Sequence, residues 1–426
     1  MRTQEERVRA GASLPPSPEP ETTPEDIRRG WLYVVKVYLA MRIGLTILAV
    51  VAVGLLPAFN PGQVDGIPGP VDVDGWPAPP LPPTLGWDNA VTSFERFDAL
   101  WFLRIATTGY VPEDGSAAFF PGYPLAIRGV SWLMGGHPLA AGLLISNLAF
   151  LAALGVLYFL TRTELSEDHA RRAVLYMAIF PTAFFFLAPY SESLFLLLAV
   201  SALWAARRRR WAMAGLCGAL AALTRNVGLV LVAPLAWEAF HQWREARAGG
   251  APASETTSRL AVAWLWSAAV VTGTGAYLWF WKHTSGDWLA PLHQQKGWQR
   301  EASFPLWTIT KATREAFRWI GVYAGGYHLL DWLIVVPCLV ACGYAVWRFR
   351  PTFGVYAWAS LAAPLVYIFE PRPFMSVPRF LLPIFPVFWA FSRWGERRGV
   401  HDAIVAASAV GLGVMTVLFV NWYYVF

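Results

Sequence analysis

In a chain where only 15% of residues are charged, the ionisable side chains beside or between long apolar runs are the ones able to do chemistry. Charged groups at membrane depth are costly and mark functional sites by default. Asp98 opens the stretch "RFDALWFLRIATTGY", Ser191 and Glu192 occupy the short turn "PYSES", and Arg225 sits in "LTRNVG". Lys282, His283, His293 and Lys296 follow one apolar run, and Arg379 ends "EPRPFMSVPRF". Guanidinium forks bind phosphate oxygens bidentately, and a carboxylate takes a proton from an attacking hydroxyl. Two arginines and two carboxylates brought together would therefore hold a lipid phosphate and activate an acceptor. Arg96, Tyr110, Asn226 and His283 are candidate supporting or substrate-binding residues in the same stretches.

Each candidate also has a plainer reading. Asp98 would be favoured at a helix N-terminus by the dipole alone, and Glu192 would do the same for a helix over 194–206. Arg225 and Arg379 would be side chains reaching from helix ends to the interface. His283 and His293, ten residues apart on a loop, are poor metal ligands, and neither metal nor cofactor is expected. Cys217, Cys338 and Cys342 lie in apolar segments and read as small buried hydrophobes.

The elements that must position these residues follow from composition. Apolar residues make up 56% of the 426, with 23 Trp and 27 Phe, which excludes a disordered chain, a disulfide scaffold and an ordinary soluble enzyme. The chain reads as an all-α polytopic membrane protein. Residues 1–27 read as a disordered cytoplasmic tail and 28–426 as the transmembrane domain. The first span runs from Trp31 to Pro57. Residues 58–136 form a first extracytoplasmic loop, Pro- and Gly-rich at its start and carrying two interfacial helices, and 282–327 form a second. Further spans are expected at 138–160, 173–189, 194–206, 211–223, 226–240, 260–281, 328–347, 353–369, 380–392 and 402–424, about eleven in all.

The surplus of 34 Lys and Arg over 28 Asp and Glu falls in groups at 162–172, 207–210, 244–247, 348–350 and 393–398. Eleven spans put every group in the cytoplasm, whereas a single crossing at 211–240 would invert the later ones. The positive charge is thus a topological signal, and no nucleic-acid partner is expected. The chain is placed in the cell (plasma) membrane, multi-pass, with Asp98, Glu192, Arg225 and Arg379 all facing outside. Nucleotide-binding and hydrolase-elbow motifs are absent. Without an evident repeat, a lipid-linked-sugar flippase or transporter is the weaker alternative, and a scaffolding protein leaves the costly polar residues unexplained.

In order along roughly residues 90–392, "RFDALWFLRIATTGY", "AAFFPGYPLAIR", "FFLAPYSESLFLLLA", "ALTRNVGLVLV" and "SVPRFLLPIFP" together resemble the PIG-V-like mannosyltransferases, relatives of GPI mannosyltransferase II. The resemblance implies the GT-C glycosyltransferase superfamily: a bundle of helices using a polyprenyl-phosphate sugar donor, with a catalytic carboxylate in the first outer loop. Asp98 matches that carboxylate, so the resemblance implies a general base there. Glu192, Arg225 and Arg379 match motif positions, and the arginines would hold the donor phosphate. The implied activity is inverting transfer of mannose from polyprenyl-phosphate mannose to a glycolipid, glycan or protein, with membrane lipids as neighbours and transfer of another lipid-phosphate-linked sugar as the alternative. The Arg- and Ala-heavy composition resembles that of a high-GC bacterium, where GPI is not expected, so the acceptor stays open. The Pro-rich insert at 60–87 belongs to none of the motifs.

Overall fold

A computed structural model describes residues 23–56, 88–294, 300–322, 325–423 and 425. Residues 1–22 of the expected tail at 1–27, the Pro-rich insert at 60–87 and Lys296 lie outside the described residues. Residues 24–27, expected to be disordered, already form the first turn of a helix capped by Thr23. The described chain is almost entirely helical. Its longer helices are α1 (Pro24–Leu55), α2 (Asp98–Thr108), α3 (Gly122–Leu133), α4 (Pro138–Glu164), α5 (Glu167–Ala178), α6 (Glu192–Arg207), α7 (Trp211–Thr224), α8 (Val232–Ala248), α9 (Ala253–Ala268), α10 (Val271–Ser285), α11 (Pro305–Arg318), α12 (Gly326–Arg348), α13 (Pro351–Leu365), α14 (Phe385–Trp394) and α15 (Arg398–Val420). Five stretches among the described residues are long and apolar enough to cross a membrane: α1, α4, α9 with α10, α12 and α15. Their exposed faces are apolar, as at Ile43, Ile47, Leu148, Val340 and Val410, which suits a lipid environment.

Several expected spans are shorter or broken, for local reasons. The run at 173–189 is α5 followed by a 3-10 turn at Ala183–Phe186. The run at 380–392 is split into a single turn at Val377–Phe380 and α14. Pro383 and Pro386 fall in and just after the gap, where their missing N–H groups prevent a continuous helix. The run at 353–369 ends with α13 at Leu365 and passes into a strand. That strand, β2 (Tyr367–Phe369), pairs antiparallel with β1 (Arg300–Ala302), Glu301 opposite Ile368. This ribbon was not expected. It ties the loop before α11 to the turn that leads to Arg379.

The expected interfacial helix α2 is mostly buried. Ala99, Leu100, Trp101, Phe102, Leu103, Ile105 and Ala106 are all covered. Phe102 meets Phe119, Tyr123 and Tyr190 edge-on, with ring centres 5.3, 5.2 and 6.1 Å apart. Between α7 and α8 the chain turns through a 3-10 segment, Asn226–Leu231, which folds back on α7. Gly228 lies so close to the backbone of Ala221 and Ala222 that a side chain there would collide with it. Likewise, a Cβ at Gly122 would stand 2.6 Å from Thr224 Oγ1, so α3 begins directly against the end of α7.

Ion pairs gather one set of helix ends. Arg207, at the end of α6, pairs with Glu164 of α4 at 2.5 Å and with the fully buried Glu238 of α8 at 3.1 Å. Arg350, at the start of α13, holds Glu238 at 2.9 Å and Glu245 at 3.1 Å. Because α6 has 16 residues, its other end, at Glu192, lies roughly 22 Å away.

Candidate active site

Four of the nominated side chains meet at that far end, each delivered by a different element. Asp98 is the first residue of α2 and Glu192 the first of α6. Arg225 follows the last residue of α7, and Arg379 lies in the turn Val377–Phe380. Arg379 donates through Nε to Glu192 Oε1 and through Nη1 to Asp98 Oδ2. Arg225 Nη1 donates to the same Glu192 Oε1 and, at 3.2 Å, to Ser191 Oγ. The result is one continuous chain, Asp98–Arg379–Glu192–Arg225, with two positive and two negative groups.

Exposure along this chain is graded. The Glu192 side chain is 0% exposed, Arg379 7%, Arg225 8% and Asp98 19%. Buried ion pairs hold only where geometry and additional hydrogen bonds offset desolvation. Here aromatic faces add to them: the Arg379 guanidinium lies 4.7 Å from the Tyr190 ring centre and 5.1 Å from that of Phe185. Arg225 lies 5.2 Å from Phe380. The second Glu192 oxygen, Oε2, is buried with no hydrogen-bond partner among the described residues.

Two backbone features aim the outer members. Phe97, just before Asp98, has φ of 52°, and Ser376, three residues before Arg379, has φ of 68°. Left-handed backbone at a bulky or β-substituted residue is held only by surrounding structure. Phe97 is held by Trp422 and Phe419, with ring centres at 5.3 and 5.8 Å. Ser376 accepts from Arg300 Nη2 at 2.8 Å, so the first residue of β1 grips the turn that carries Arg379.

The plainer readings fare unequally. Glu192 directs its carboxylate to arginines, and no side-chain cap closes the start of α6. Arg225 and Arg379 are buried and paired, unlike side chains reaching for the interface. Asp98 both opens a helix and pairs with Arg379, so the dipole contribution and the ion pair coexist. The shared face of Asp98, Phe102 and Ile105 does turn inward, with the latter two 3% and 4% exposed.

The other nominated residues are not brought into this chain of ion pairs. Arg96 caps α15, donating through Nε to the Val420 carbonyl at 2.9 Å and through Nη1 to those of Thr92 and Glu95. It anchors the backbone ahead of Asp98. Tyr110 donates to the Phe119 carbonyl at 2.7 Å within an aromatic cluster that includes Tyr277 and Trp281. Burial holds its hydroxyl pKa well above the usual range. Exposed Asn226 accepts from its neighbour Val227. His283 is exposed beside Trp279, and Lys282 donates to Gly286. His293 bonds Asp287, whose carboxyl is held below its usual range by the Leu289 N–H first and His293 next. No group of three His, Cys, Asp or Glu able to hold a metal is found among the described residues.

Sequence reasoning missed a second buried pair, Arg372 with Asp331, whose bonds are 2.7 and 2.8 Å and whose Asp331 side chain is 1% exposed. A lone Asp inside the apolar run 328–347 was the available signal. Glu238, inside 226–240, carried the same signal.

Residues 84–272 match the family model "Mannosyltransferase (PIG-V)". GPI alpha-1,6-mannosyltransferase 2 of Rattus norvegicus is 36% identical over 178 residues, covering 37% of this chain and 35% of the relative. GPI mannosyltransferase 2 of Cryptococcus neoformans is 32% identical over 145 residues, covering 32% and 34%. The matched part therefore spans about a third of the length of these relatives. Among solved structures, ArnT from Cupriavidus metallidurans bound to undecaprenyl phosphate aligns with a TM-score of 0.45 at 13% identity, over 92% of this chain and 76% of that one. The oligosaccharyltransferase AglB of Archaeoglobus fulgidus, in complex with an inhibitory peptide and a dolichol-phosphate, aligns at 0.39 and 12%, over 91% and 56%. Residues 84–272, which contain Asp98, Glu192 and Arg225, are thus similar to the mannosyltransferase (PIG-V) family.

Proposed function

We propose that the protein is a membrane mannosyltransferase that takes mannose from a polyprenyl-phosphate donor and passes it to a hydroxyl of a glycolipid, glycan or protein. The site faces the outside of the cell membrane. The observation that carries this reading is the ion-paired chain Asp98–Arg379–Glu192–Arg225 at the end of α6 opposite the Arg207–Glu238–Arg350 cluster. The helix ends rich in arginine then face the cytoplasm.

In the reaction, the Asp98 carboxylate accepts the proton of the acceptor hydroxyl. The hydroxyl oxygen bonds to the anomeric carbon from the side opposite the phosphate. The bond from that carbon to the phosphate oxygen breaks, and the electron pair leaves with the lipid phosphate. Charge developing on that phosphate is met by Arg379 and Arg225, already fixed by Glu192 and aromatic faces. Such preorganised charge is usually the largest single contribution to rate. A lipid phosphate is a good leaving group, so protonation of it by an acid is not required.

Incubating purified protein with radiolabelled polyprenyl-phosphate mannose and a membrane lipid extract tests the reading. The expected result is label transferred to an extractable or precipitable acceptor, and lost in Asp98→Asn. Label that stays wholly on the donor across glycolipid, glycan and protein acceptors overturns it.

A further inference from the structure

Asp98, the proposed base, is not poised to act as the structure stands, because it is bound to Arg379 Nη1. That bond occupies Asp98 Oδ2 with a guanidinium N–H. The same guanidinium is the one proposed to receive the donor phosphate. Both facts concern one position on one side chain, and the surroundings decide which partner moves.

Arg379 is held from within. Its Nε is bound to fully buried Glu192, and its plane lies against the Tyr190 and Phe185 rings. Glu192 is in turn fixed by Arg225. Asp98 is the most exposed member of the four, and it follows a residue in left-handed backbone. The four groups together are already neutral. An entering phosphodiester adds one negative charge, which in a poorly solvated site needs a cationic partner of its own. Of the two arginines, Arg379 is the one that reaches the most exposed member of the four, through the Nη1 that Asp98 occupies.

We infer that the donor phosphate displaces Asp98 from Arg379, so that arrival of the donor is the event that releases the base. This rests on the donor reading given above. Glu192 is the positioning residue of the exchange, since it keeps Arg379 in place while the partner on Nη1 changes. The guanidinium passes from a carboxylate to a phosphate, no bond is made or broken, and Asp98 becomes available to the acceptor hydroxyl only when a donor is present. The base is masked until there is a sugar to transfer.

The consequence is a competition that is measurable without any turnover. Removing the Asp98 charge removes the competitor, so a lipid phosphate binds more tightly to a catalytically dead variant than to the natural protein. The probe is farnesyl phosphate in detergent micelles, with farnesol as the uncharged control, and equilibrium binding to the full chain is the readout. Asp98→Asn and Asp98→Ser are both expected to tighten farnesyl phosphate by about tenfold, the scale of one charge-assisted hydrogen bond, and to leave farnesol unchanged. In Arg379→Gln the gain from Asp98→Asn is expected to vanish. If farnesyl phosphate is preferred over farnesol but binds both Asp98 variants no better than the natural protein, the exchange is wrong while the donor reading survives. If farnesyl phosphate binds no better than farnesol to any form, the donor reading fails and the exchange with it.

Discussion

Arg379 and Glu192 come from segments 187 residues apart and meet in an ion pair from which solvent is almost excluded. The relationship orders the rest of the site. Glu192 accepts from two arginines through one oxygen, so it fixes both cations. Asp98 then joins from the accessible side.

Asp98→Asn keeps size and hydrogen bonding but removes the base. Turnover should fall by about 10²–10⁴, with the protein still folded in detergent. If the carboxylate served only the start of α2, its loss would remove about 0.3–1 kcal/mol of helix stability and leave transfer nearly intact. Single-turnover transfer together with a thermal melt separates these outcomes.

Glu192 is expected to behave differently, since its removal leaves two buried guanidiniums without their shared anion. Breaking a buried pair by deleting one partner typically destabilises by about 3–5 kcal/mol. Glu192→Ala should therefore lower the melting temperature in detergent as well as impair transfer, whereas Asp98→Asn impairs transfer alone. A Glu192→Ala protein that melts like the natural one would remove Glu192 from the framework of the site.

Arg225→Lys should retain more donor use than Arg225→Ala. The ammonium keeps the charge opposite Glu192, where Nη1 alone makes the bonds to Ser191 and Glu192, but lacks the planar fork that takes a phosphate bidentately. Donor KM is the measurement. Equal impairment of both variants, with donor KM unchanged, would make Arg225 a purely structural residue.

Sidedness is tested with single cysteines in a background lacking Cys217, Cys338 and Cys342. Cysteine at His283, an exposed position in the last turn of α10, should react with an impermeant maleimide on intact cells. Cysteine at Ser254, exposed in the first turn of α9, should react only after permeabilisation. Labelling of position 254 from outside would overturn the proposed orientation of the bundle.

The amino-acid sequence by itself determined that the chain is a membrane helical bundle, because runs of apolar residues long enough for lipid leave few other structures able to satisfy the backbone. It also determined which face of α2 turns inward, since helical spacing sets Asp98, Phe102 and Ile105 together. The rare ionisable residues in apolar surroundings were legible one at a time, for the cost of burying them is local. Tertiary structure alone decided their partners. Arg379 meets Asp98 across 281 residues, and Arg372 meets Asp331 inside a helix that reads as an ordinary span. Arg96 was drawn to the end of α15 instead of the site, across 324 residues. Tertiary structure also set where helices stop, for those packed within the bundle need not be long enough to span a membrane. Periodicity and hydropathy encode the depth and the face of a side chain. Which cation meets which carboxylate depends on how distant helix ends pack, and that no local spacing contains.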